Sequence, residues 1–187
     1  MSPPTIPQVS AIKAWASAVR DIKKQELADV ENEFKIKLRN ASVYDTLQEA
    51  ERNYRRALDL QKMRNDKKAI RFFRQATDGY TNTMLNAYRE IALLKLLEAK
   101  KKYYSASKFS DLDAASIFIA RAQKLCSDAN YAQTTEARTK LYREAIEFCN
   151  QASERLYGSN KADAVYRAII IGMLFFVIAT SLLTLFL

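Results

Sequence analysis

Only three glycines and three prolines occur in 187 residues, and all three prolines lie within the first seven. The interior of the chain is almost free of residues that stop a helix. Ala, Leu, Lys, Arg, Glu and Gln dominate it, and these lose little freedom on entering a helix. The fold class that follows is all-α, an antiparallel bundle or array of helix hairpins.

Apolar periodicity predicts six helices before the C-terminal segment. The first covers 10–40, capped by Ser10. Ile12, Trp15, Val19 and Ile22 form one apolar stripe on it, and Leu27, Val30, Phe34 and Leu38 form a second. The next covers 43–64 after Ser42, with Val43, Leu47, Ala50, Tyr54, Ala57 and Leu58 on its inner face. A third covers 67–78 and is broken by "TDGYTN", where Gly79 reads as a C-cap. The fourth covers 83–106. Its "IALLKLLEA" run, 91–99, is apolar nearly all round, the pattern of a helix covered on several sides. A fifth starts after Ser110 or Asp111 and reaches Cys126, and a sixth covers 135–157.

Residues 1–9 are polar and proline-rich and read as disordered. Residues 10–157 form the helical domain, 158–167 a juxtamembrane linker, and 168–187 a membrane span. That last run, "AIIIGMLFFVIATSLLTLFL", is uncharged. Twenty helical residues reach across roughly 30 Å, the hydrocarbon thickness of a bilayer. Thirteen of them are Ile, Leu, Phe or Val, and together these favour insertion by roughly 4–8 kcal/mol. The anchor residues are Ile169, Ile170, Ile171, Leu174, Phe175, Phe176, Val177, Ile178, Leu182 and Leu183. Lys161 and Arg167 flank the span on its N-terminal side, with Tyr166 at headgroup level. No apolar leader pattern opens the chain. The expected topology is a single-pass tail anchor, its N-terminal domain facing the cytosol or an equivalent compartment of synthesis.

The chain has no histidine, so acid–base chemistry and metal ligation by imidazole are excluded. No Gly-rich phosphate loop, CxxC or GxSxG occurs. The reading is of a non-enzymatic protein without a cofactor or metal. Cys126 and Cys149 lie in helical patterns among apolar residues and read as buried thiols.

Ala69, Phe73 and Ala76 in the third helix have the spacing of the second helix of a tetratricopeptide repeat, with Ala57 and Leu60 in the helix before it. The pattern recurs at Ala115, Ile119 and Ala122, and at Ala145, Cys149 and Ala152. Over 43–157 the chain thus resembles a degenerate tetratricopeptide-like array, and a plain helical bundle accounts for the same spacing. The resemblance implies a scaffold that grips a partner segment, on the plan of small tail-anchored members of that family.

Residues 52–74 hold nine basic and two acidic side chains, a net +7 of the chain's +9. Arg52, Arg55, Arg56, Lys62, Lys67, Arg71 and Arg74 are the expected partner-binding residues. A solvated face that keeps a basic protein soluble accounts for the same charges; as a binding surface it would take an acidic protein segment or anionic lipid. Nucleic acid is disfavoured because no recognition motif is present. A second cluster is Lys100, Lys101 and Lys102, followed by Tyr103 and Tyr104. The functional expectation is a membrane-tethered adaptor or receptor. The alternative is an accessory subunit of a membrane complex, packing through Trp15 and the first helix. A SNARE-like fusion protein is the least favoured alternative, because "SKFSDLD", "SDANYAQT" and "YGSN" interrupt the heptad run into the span that it needs.

Overall fold

The computed structural model describes residues 6–34, 38, 41–106, 111–156 and 169. Among them every regular element is helical: α1 (Ile6–Phe34), α2 (Ala41–Lys62), α3 (Asp66–Tyr104), α4 (Leu112–Tyr131) and α5, residues 135–156. Two compact units form. One contains Met1–Leu94 and Leu125–Arg143, the other Lys95–Lys124 and Glu144–Leu187.

In the first unit, α2 and α3 make an antiparallel hairpin with α1 packed against it. Ala50, Tyr54, Ala57, Ala69, Phe73, Ala76 and Tyr80 form its centre, and Ala16 of α1 reaches the same cluster. The Tyr54 and Phe73 rings meet edge to face, with centroids 5.6 Å apart. Small residues set the helix spacing. A Cβ on Gly79 would stand 2.8 Å from the Ala50 Cβ, so α2 and α3 approach here more closely than two alanines allow.

Gly79 was therefore misplaced as a helix end. α3 runs through 77–82 without a break, merging the third and fourth expected helices. The threonines that read as turn formers are satisfied inside the helix. The Oγ1 atoms of Thr77, Thr81 and Thr83 donate to the carbonyls of Phe73, Thr77 and Gly79, four residues back.

The first helix also departs from expectation. α1 begins at Ile6, and Val9 is buried, so 6–9 are ordered helix. It is described as far as Phe34, and position 38 is not helical, so the helix does not run unbroken to Asn40. Leu38 is buried beyond it, with its N–H 3.3 Å from Glu31 Oε1. Of the stripe Ile12, Trp15, Val19 and Ile22, only Ile12 and Val19 pack on the core. Ala16 takes the central place, while Trp15 and Ile22 are 50% and 61% exposed. An alanine lets the α1 backbone approach Tyr54 and Phe73, and an indole at that point would hold it away.

The α2–α3 turn is a Schellman closure. Asn65 N–H bonds to Leu60 C=O at 2.9 Å, and Arg64 N–H bonds to Gln61 C=O at 2.9 Å. Arg64 occupies the left-handed position, with φ 57°, where glycine is usual.

In the second unit, Ala99, Ala115, Ala122, Ala145 and Ala152 are fully buried, together with Ile146, Cys149 and Leu156. Phe118 and Phe148 stack at 6.1 Å, and the Arg121 guanidinium covers Phe148 at 4.6 Å. Asp111 caps α4, its Oδ1 accepting from Ala114 N–H at 3.3 Å. Thr134 caps α5 in the same way through Ala137 N–H at 3.1 Å. Cys126 and Cys149 are buried and form no disulfide.

Candidate binding surface

Helical periodicity turns Tyr54, Ala57, Phe73 and Ala76 toward the core, and the basic residues between them outward. Arg52, Arg55, Arg56, Lys62, Lys67, Arg71 and Arg74 are all exposed, as are Arg64 and Lys68. The short turn of residues 63–65 brings the two basic helix ends to one tip.

Few of these charges are engaged. Lys62 lies 3.6 Å from Asp59, both exposed. The Arg56 guanidinium sits 4.7 Å over the Phe72 ring, which holds it across the hairpin. Among the described residues, Arg52, Arg55, Lys67, Arg71 and Arg74 make no ion pair. Elsewhere in this unit Arg20 pairs with Asp21, Lys23 and Arg143 with Glu26, and Lys24 with Glu51, while Lys13 and Arg89 make no ion pair among the described residues. Most of the hairpin's exposed cations thus lack an ion-pair partner among the described residues.

Beside these charges lies a polar hollow of about 320 Å³ between α2 and α3, whose walls include Thr46, Asn53, Gln75 and Asn82. It opens beside the Gly79–Ala50 contact. A second hollow, of about 420 Å³, is framed by Trp15 and Val19 of α1, Thr77, Thr81 and Met84 of α3, and Thr135 and Thr139 of α5. The Trp15 hollow was not legible in sequence, because the 3–4 spacing of Trp15 matches a core position. Among the described residues, no cluster of three or more Cys, Asp or Glu is arranged to hold a metal.

Lys161, Tyr166, Arg167 and the expected anchor residues other than Ile169 lie outside the described residues. Ile169 is helical and 49% exposed. Among the described residues, no helix is long and apolar enough to cross a membrane.

The nine positions that carry the tetratricopeptide-like spacing, Ala69, Phe73, Ala76, Ala115, Ile119, Ala122, Ala145, Cys149 and Ala152, are all buried. No family model, curated protein or solved structure matches the chain.

Proposed function

We propose that this protein is a non-enzymatic, membrane-tethered adaptor whose α2–α3 hairpin docks an acidic segment of a partner protein. One observation carries the reading: the hairpin exposes nine cations, and among the described residues Lys62 is the one of them in an ion pair. The tether is the uncharged run 168–187, with the helical body on the side of synthesis. Burial of Ala57, Ala69, Phe73 and Ala76 supports reading the hairpin as one tetratricopeptide-like pair.

The test replaces Arg55 and Arg56 with Glu in the full chain. A soluble partner that dissociates in high salt should be lost, while alkaline carbonate still leaves the protein in the membrane pellet. Retention of the partner after charge reversal would sink the docking reading. Extraction by carbonate would sink the tether.

Trp15 and Ile22, exposed one above the other at positions seven apart on α1, favour a second reading. In it the chain is an accessory subunit whose first helix packs on an integral membrane protein. Trp15→Ala with Ile22→Ala should then release the chain from its complex in mild detergent, whatever the salt.

A further inference from the structure

We propose that the C-terminal third of α3 is a second contact surface, one that rests on anionic lipid headgroups at the membrane face. "IALLKLLEA" is not covered on all sides. Leu97 is 66% exposed and Tyr104 is 82% exposed. Positions seven apart fall on one side of a helix. The two residues form a short apolar stripe about 10 Å long, at 1.5 Å per residue.

Basic side chains outnumber acids around the stripe: Lys95, Lys100, Lys101 and Lys102 against Glu98. Glu98 is the acid beside it, and it is held between Lys95 at 3.5 Å and Lys102 at 2.7 Å. Among the described residues, Lys100 and Lys101 make no ion pair. Lys101 is exposed on the stripe, between Leu97 and Tyr104. Next to them is a hollow of about 210 Å³ in which Lys100, Tyr103 and Tyr104 face Ser116 and Gln123 of α4. An ammonium group, hydroxyls and an amide in one concavity are donors suited to a phosphate oxygen.

These features select the occupant. A second copy of the chain, across a two-fold axis, would set this lysine-bearing face against itself. A neutral apolar partner would bury Lys100 and Lys101 unpaired. An anionic bilayer surface meets both demands, since headgroups take the ammonium groups while Leu97 and Tyr104 enter the interfacial layer. Lysine and tyrosine side chains suit that boundary, because each has an apolar body and a polar end. The inference stands apart from the hairpin reading and uses different residues.

The test labels the full chain at Leu97→Cys with a solvatochromic dye, Cys126 and Cys149 being buried. The protein is mixed with vesicles of phosphatidylcholine alone, or of phosphatidylcholine with phosphatidylserine. The expected result is a blue shift and protection from acrylamide only with phosphatidylserine, reversed by high salt. Lys100→Ala with Lys101→Ala should lower the docked-to-free ratio about 25-fold, at roughly fivefold for each ammonium group near an anionic surface. Equal emission with both vesicles, or no shift with either, overturns the proposal. So does a shift caused by a poly-glutamate peptide when vesicles cause none, which would assign the face to a protein. Carbonate extraction of the same samples reports the tether separately, so either idea can fail alone.

Discussion

Arg143 and Glu26, 117 positions apart in the chain, meet with Nη2 2.8 Å from Oε1. The same Nη2 donates to the Tyr88 hydroxyl at 2.6 Å, and the guanidinium lies 4.4 Å over the Tyr88 ring. One arginine on α5 therefore ties α1 to α3. The Arg143 side chain is 52% exposed, so water screens its charge and the pairing energy is small. Arg143→Ala should cost about 1 kcal/mol in urea unfolding, with lost packing on Tyr88 contributing. A double-mutant cycle with Glu26→Ala should return a coupling of about 0.5 kcal/mol.

Glu51 sets a pH dependence. Burial pushes its carboxyl up, but the Lys24 ammonium and the Tyr80 hydroxyl, 3.0 Å away, outweigh that and hold it below the ordinary carboxylate range. A carboxyl whose folded value lies below its unfolded value stabilises the fold above the unfolded value. That stability is lost as pH falls through the folded value. The urea midpoint should therefore decline as pH falls through and below the ordinary carboxylate range. Glu51→Gln should flatten that part of the profile and lower stability at neutral pH by about 1 kcal/mol.

Gly79→Ala would improve local helix propensity by about 1 kcal/mol. Its new methyl would meet the Ala50 Cβ at 2.8 Å and the Ala50 Cα at 3.3 Å, and backbone cannot swing aside. Overpacking of this kind costs about 1–3 kcal/mol, so the net expectation is a loss. Ala50→Gly in the Gly79→Ala background should recover part of it. A rise in thermal midpoint for Gly79→Ala alone would show that the helices separate freely.

Arg64 closes α2 at φ 57°, a conformation that costs a side chain about 1 kcal/mol or more. Arg64→Gly removes that strain and adds freedom to the unfolded chain, so the two effects oppose. The expected net gain is under about 1 kcal/mol, read from the urea midpoint. The same variant takes one cation from the hairpin tip, so salt-dependent partner binding should weaken while stability rises.

The helices themselves were legible. Scarce glycine, no proline after position 7 and an apolar period near 3.6 leave the backbone no competing way to satisfy its polar groups. The cap at Asp111 and the outward cluster from Arg52 to Arg74 followed from local chemistry, because a carboxylate at a helix start and a cation opposite a tyrosine depend on near neighbours. Tertiary packing decided the rest. "TDGYTN" reads as a turn, yet Gly79 sits in mid-helix because Ala50 needs its missing methyl. Trp15 and Leu97 have core spacing and still face outward, since a stripe is buried only where another helix comes within reach. The period of a pattern is a property of neighbouring residues, whereas its cover is set by separations between segments distant in the chain.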